Sequence, residues 1–187
     1  HRGEAGAHEF LAPHTTFFTW AQNYDHADCR VPMAPAYQFR PTLPPVVMDQ
    51  WESGDTPSND AFTTIGNWRQ PWRVLEFEGE TYHWSKHFEF EKVIDLPRRT
   101  TQPFELALAS YEPEDRHLLE SHGWRVIDAA PVSHGLDDYR NYVLASRGEF
   151  TVAKDQNERL RSGWFSERIA QYLAAGRPVI KIGRAHV

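Results

Sequence analysis

Residues 139–180 read YRNYVLASRGEFTVAKDQNERLRSGWFSERIAQYLAAGRPVI. Their periodicity predicts a helix over 139–146, a strand over 149–153, a polar turn over 157–165, a helix over 166–175 and a strand over 177–180. Ser166 is a good N-cap for the second helix, Phe165 and Ala170 are spaced for a hydrophobic staple, and Gly176 is placed as the C′ stop. The turn Arg161-Ser162-Gly163-Trp164-Phe165-Ser166 therefore lies beyond the carboxyl end of a strand. Open parallel sheets bind ligands at that edge, and unpaired N–H groups at a helix start attract phosphate. The stretch predicts an anionic-ligand site in an α/β sheet.

Upstream, the same rhythm continues back to Phe62. Residues 62–66 predict a strand ending in Gly66-Asn67-Trp68, and residues 73–77 extend the loop or form a small strand before Gly79. Ser85 is placed to cap a helix reaching about Asp95, with Phe88, Phe90, Val93 and Ile94 as its buried side. Residues 104–109 are strand-like. Pro113 fits the first position of a helix, Glu114 and Asp115 complement its dipole, and Gly123 ends it. Residues 125–129 form a strand, and Leu136, Tyr139, Tyr142 and Val143 mark another helix face. Five strands separated by four helices are too far apart for hairpins. The fold class is therefore α/β, a doubly wound parallel sheet lacking its last elements.

Before Phe62 the pattern changes. Residues 1 to about 52 lack clean periodicity, and 1–55 form a region distinct from the sheet. Phe17-Phe18-Thr19-Trp20 fits a short buried strand, while Pro32, Pro35, Pro41, Pro44 and Pro45 oppose both helix and central strand. The polar run 54–60 marks the boundary, and the sheet domain occupies residues 60–180. The chain opens on His1 rather than Met, so its natural start is expected to lie further upstream. Residues 182–187 resemble the in-frame translation of a sequencing adapter, so 181–187 are set aside as an artefactual tail, with a genuine charged tail as the alternative.

Of the 187 residues, 40% are hydrophobic, with seven Trp, eleven Phe and seven Tyr, which is ample for a packed core. A net charge of −6 without any basic run argues against nucleic acid as the partner. No apolar run approaches the ~18 residues that span a bilayer. A single cysteine, Cys29, excludes an internal disulfide and fits a reducing cytoplasm. His83 and His87 have zinc-pair spacing, but the Glu that chemistry needs after the first histidine is Trp84. His8, His14 and His26 show no ligand cadence, so no metal is expected. No Walker A loop, GxGxxG or GxSxG is present.

Residues 142–154, 161–165 and 172–180 together resemble the C-terminal domain of GT-B glycosyltransferases. The likeness is greatest to bacterial glycosyltransferase-like proteins related to spore-maturation enzymes. Thr63-Thr64-Ile65-Gly66-Asn67-Trp68, Trp84-Ser85-Lys86-His87, Asp95-Leu96-Pro97 and residues 119–124 fit the same pattern. The resemblance implies sugar transfer from a nucleotide-sugar donor to an unidentified acceptor. The donor would be held by the C-terminal domain, partly present as residues 60–180, and the acceptor by the N-terminal one, of which residues 1–55 would be the remnant and the interdomain crossing, with no bound cofactor or metal. It also implies a fragment that is inactive by itself. Many retaining members carry a Glu five residues before the glycine of the AxGxPV element, against the donor ribose. Here that position is Gln171, so retention of configuration is not inherited.

The candidate donor-binding residues are Asn67, Lys86, Lys154, Gly163, Ser166, Glu167, Arg168 and Gln171. Ser166, Glu167 and Arg168 open the helix, and Arg168 adds a fixed positive charge; its plain alternative is an ion pair with a carboxylate. Lys86 and Lys154 stand near the start of a helix and the end of a strand, each with an ordinary surface lysine as its alternative. Glu149, at the start of its strand, is expected to serve a structural ion pair. A rival reading is a non-catalytic domain of the same fold that binds a nucleotide or a protein. A flavodoxin-like or response-regulator domain fits less well, because no acidic cluster follows the first strand.

Overall fold

The computed structural model describes residues 5–33, 35–52 and 56–183. In chain order the elements are α1 (Ala5–Leu11), β1 (Phe17–Thr19), β2 (Phe39–Pro41), β3 (Phe62–Asn67), β4 (Val74–Phe77) and β5 (Glu80–His83). There follow α2 (His87–Glu91), β6 (Phe104–Ala109), α3 (Pro113–Ser121), β7 (Arg125–Asp128) and α4 (Leu136–Ala145). The chain continues through β8 (Gly148–Val152), α5 (Asp155–Arg159), α6 (Glu167–Ala174) and β9 (Val179–Ile182).

Five strands form one parallel sheet in the order β7-β6-β3-β8-β9. The chain moves outward from β3 to β6 and β7, then returns through α4 to β8 on the other side of β3. The strand order thus reverses between β3 and β8, which is the switch point of an open α/β sheet. The architecture is Rossmann-like, as the alternation of strands and helices predicts.

Side-chain alternation divides the two faces. Trp68, Phe90, Phe104, Leu106, Leu108, Leu119, Trp124, Phe150 and Val152 form one apolar cluster with α2 and α3. Its rings meet edge-on or tilted, with Phe104–Phe150 and Phe90–Trp124 centroids 5.2 and 5.8 Å apart. Burying each such side chain contributes about 1.5–3 kcal/mol. The opposite face, under α4 and α6, carries Ile65, Ala107, Tyr142, Val143 and Tyr172. Hydroxyls lace it together. Thr63 Oγ1 donates to Ser146 Oγ (2.7 Å), which donates to the Tyr142 carbonyl (2.7 Å). The Thr63 proton being spent, Tyr172 must donate to Thr63 Oγ1 at 2.6 Å.

Several expected boundaries shift. Residues 74–83 form an antiparallel hairpin, β4–β5, around Glu78 and Gly79, both with positive φ. It docks on α5, where Arg159 lies 4.2 Å over the Tyr82 ring and donates to the Thr81 carbonyl. Ser85 does not cap α2; its hydroxyl accepts the Gln70 N–H at 2.7 Å, and Lys86 takes the cap position without a side-chain bond. The helix stops at Glu91, and Phe88 is exposed. Leu136, expected on a buried face, is 88% exposed at the start of α4.

Residues 17–19 pair in parallel with 39–41, Pro41 being tolerated at the end of a short strand that has a neighbour on one side only. The following residues run antiparallel to the turn before α6, with a bridge between Ala21 and Trp164 and hydrogen bonds from Gln22 to Gly163 and Phe165 to Trp20. Residues 181 and 182, within the stretch set aside as a tail, extend β9 in register with Thr151 and Val152. Residues 184–187 of that stretch lie outside the described residues, as do 53–55 at the predicted domain boundary.

Candidate functional site

At the switch point the two central strands part. β3 pairs with β6 along its whole length, from Phe62↔Phe104 to Asn67↔Ala109. With β8 it pairs only at Phe62↔Gly148 and Thr63↔Glu149. At this closed end the backbones are tight. A Cβ on Gly148 would lie 2.4 Å from the Pro178 carbonyl and 2.7 Å from the Phe62 ring, so no larger residue fits without displacement. Toward the carboxyl end the strands separate and a crevice opens.

Lys86, Thr151, Lys154, Ser166, Arg168 and Ile169 are among the side chains around this crevice, which has a volume of about 220 Å³. Lys86 Nζ donates to Thr151 Oγ1 at 2.9 Å and lies 6.0 Å from the Phe90 ring centroid. Lys154 Nζ donates to Gln70 Oε1 at 3.2 Å and stands 5.3 Å over the Trp84 ring. Arg168 donates from Nε to Glu149 Oε1 (2.5 Å), from Nη1 to the Ile65 carbonyl (2.6 Å) and from Nη2 to Thr151 Oγ1 (3.1 Å). Lys181, in the stretch set aside above, also reaches the rim; the other three cations make the site without it.

Among the described residues, none that lines the crevice carries a carboxylate. The electrostatics follow from that. Burial lowers the Lys86 pKa well below the ordinary lysine range, and repulsion from Arg168 lowers it further. Burial also pushes Lys154 down to about 8, with Arg73 and Arg168 adding to the effect. Burial opposes the charge on Arg168 too, but Glu149 more than offsets it and its pKa is raised. Lys86, Lys154 and Lys181 thus share a lining without a carboxylate, Glu149 behind Arg168 offsets the charge on Lys86 only in part, and an incoming anion would relieve the remaining repulsion.

Helix α6 completes the wall. Ser166 caps it, its hydroxyl accepting the Ile169 N–H at 3.2 Å, and Gly176 closes the far end with φ +67°. The amides of Glu167 and Arg168, at the first two helical positions, have no partner within the helix. The preceding turn owes its shape to Arg161 and Gly163, both at positive φ.

The sequence-predicted residues do not all converge. Lys86, Lys154, Ser166 and Arg168 meet at the crevice. Glu167 and Gln171, with Arg168 as a shared wall, instead line a larger cavity of about 620 Å³. That cavity is bounded by Val46, Val47 and Trp51 on one side and Tyr139 on the other. Gln171 Oε1 accepts the Tyr139 hydroxyl at 2.6 Å. Asn67 is exposed and accepts from Ser110 Oγ at 3.3 Å, away from both. Gly163 packs on the N-terminal segment: a Cβ there would sit 2.6 Å from the Asn23 nitrogen. Its role is close backbone approach, and it lines neither cavity.

Glu149 is fully buried in the ion pair with Arg168, as its strand position predicts. Thr151, which accepts from both Lys86 and Arg168, escaped sequence reasoning. Its signal was present: Glu149 and Thr151 alternate with Phe150 and Val152, so two polar groups share one face of a buried strand. Among the described residues, no group of three or more His, Cys, Asp or Glu is arranged to hold a metal ion, and no helix is long and apolar enough to cross a membrane. Comparison of the chain with protein-family models, curated proteins and solved structures finds no match.

Proposed function

We propose that this chain is the donor-binding part of a GT-B glycosyltransferase, of the bacterial type related to spore-maturation enzymes, which transfers a sugar from a nucleotide-sugar to an acceptor. The observation that carries the reading is the crevice at the switch point, walled by Lys86, Lys154 and Arg168 and lacking any carboxylate in its lining. Such a site suits a diphosphate. The lysines and the amide of Arg168 at the start of α6 would take the developing negative charge of the leaving nucleoside diphosphate, without a metal. Rate acceleration would come from that stabilisation and from holding donor and acceptor together.

The larger cavity beside it is sized for the uncharged remainder of a nucleotide. Gln171 would offer its amide N–H groups to a hydroxyl, since its carbonyl is occupied by Tyr139. One observation favours a non-catalytic binding domain of the same fold: Gln171 carries no charge where many relatives of the proposed family carry Glu.

Calorimetric titration with UDP, GDP, ADP and their sugar conjugates tests the reading. Binding of at least one is expected, weakened about tenfold by Lys86→Ala and by Lys154→Ala, the loss of one charge-assisted phosphate contact each. Failure of every nucleotide to bind would contradict it and favour a protein-binding role.

A further inference from the structure

We infer that the Arg168–Glu149 pair is a wedge that holds β3 and β8 apart at the switch point and so positions Lys86 and Lys154, without Arg168 itself contacting the bound anion. The inference rests on the crevice being an anion site, as proposed above. It assigns Arg168 a different job from the one a helix-start arginine suggests.

Three observations carry it. Neither β3 nor β8 contains proline, so nothing in their backbones forbids the ladder from continuing past Thr63 and Glu149. What occupies the parting is the guanidinium. It gives the Ile65 carbonyl of β3 the donor that a neighbouring strand would supply, and holds Glu149 and Thr151 of β8 with its other nitrogens.

Second, the guanidinium is committed. Three of its five N–H groups are used within the sheet, and its side chain is 18% exposed. Third, Glu149 is 0% exposed, and Arg168 is the partner of one of its oxygens while the other has none. Swinging Arg168 out to a ligand would leave a buried carboxylate unpaired, which is strongly unfavourable. The lysines have no such anchor. Each has a neutral oxygen as partner, Thr151 Oγ1 or Gln70 Oε1, and each can turn to an anion at little cost.

The wedge and direct-contact roles predict opposite signs. Glu149→Gln removes the counter-ion of Arg168 and adds a net positive charge beside the crevice. A phosphate-contacting arginine would then bind inorganic pyrophosphate more tightly. A wedge that has lost its anchor lets the crevice collapse, so binding weakens about tenfold, the scale of one charge-assisted contact. Arg168→Lys keeps the charge but loses the fork, and the wedge predicts a similar loss where a charge role predicts retention.

The experiment is calorimetric titration of pyrophosphate into the full chain and both variants, with backbone hydrogen exchange at residues 65–67 and 151–153. Weaker binding together with altered exchange in both variants is the expected result. Tighter binding by Glu149→Gln, or wild-type affinity in Arg168→Lys, overturns it. If Glu149→Gln does not fold, Arg168→Lys decides on the same two readouts. If the wild-type chain takes up no pyrophosphate, the site reading falls by itself. Exchange alone then decides the wedge, and unchanged exchange in Arg168→Lys overturns it.

Discussion

The two faces of the central sheet are built by different chemistry. Under α2 and α3, Phe104, Trp124, Phe150 and Phe90 fill space with rings. Under α4 and α6, the same strands present Thr63, Glu105, Glu149 and Thr151, tied to Ser146, Tyr142, Tyr172 and Arg168 by hydrogen bonds. Apolar packing is non-directional and tolerates small shifts, whereas a polar network demands fixed geometry. The crevice opens beside the network. Of the crevice cations, Lys86 and Arg168 are tied to that network through Thr151, whereas Lys154 is held outside it by Gln70 and Trp84.

Breaking the apolar face should have the largest effect. Phe150→Ala removes a 1% exposed ring from the centre of the cluster and should cost about 3–5 kcal/mol in urea unfolding. The cost should be the same at pH 6 and pH 9, because no titrating group of the crevice is involved. A cost below about 1 kcal/mol would mean that this face is not the main support of the fold.

Gly148→Ala sharpens the contrast at the closed end of the β3–β8 pair. The new methyl meets the Pro178 backbone and should cost about 1–3 kcal/mol, measured the same way. Tyr172→Phe probes the network with little change in volume. It removes the donor to Thr63 Oγ1 and should cost about 1–3 kcal/mol, the range for a buried group left without its partner. The Tyr172 hydroxyl, whose pKa burial raises to about 12, stays protonated throughout the working range, so this cost should not vary with pH.

The smallest effect concerns protons. Lys154 faces Arg73, Arg168 and Lys86, with Gln70 and Trp84 as neutral neighbours, and its pKa falls from 10.5 to about 8. Its folded pKa lies below the unfolded one, so burying it opposes folding fully below about pH 8. That penalty fades as pH rises toward the unfolded value. An anion favours the protonated form. Affinity for a nucleoside diphosphate whose phosphates are already ionised should therefore fall as pH rises through about 8, with proton uptake on binding above that pH. Lys154→Met should remove the change centred near pH 8 and reduce the proton uptake, leaving the part that belongs to Lys86, in calorimetry run in two buffers of different ionisation enthalpy.

Much of this was legible in the sequence, for definite reasons. β6, the start of α3 at Pro113 and the cap at Ser166 follow from local signals that act where they stand. Lys154, Ser166 and Arg168 stand at a strand end and a helix start, positions that local pattern marks, whereas Lys86 is singled out by the family resemblance. The β4–β5 hairpin was not legible as a pair, because Glu78 adopts a positive φ that a non-glycine residue rarely signals. α5 is polar throughout and is held by the hairpin rather than by an apolar stripe. The parting of β3 from β8 depends on a guanidinium from another element, a tertiary fact that neither strand's composition encodes. Glu167 and Gln171 share a helix with Arg168, but helical rotation turns them to the larger cavity.

The most direct measurement of the central claim is residue-resolved mapping of a nucleoside diphosphate on the isotopically labelled chain by NMR. Shifts concentrated at the backbone amides of Arg168 and Ile169 and at the Lys86 and Lys154 side chains are predicted, with little change in a separate N-terminal cavity that Tyr24, Tyr37, Phe39 and Arg40 line. Shifts confined to that N-terminal cavity, or none at saturating ligand, would contradict a site at the switch point.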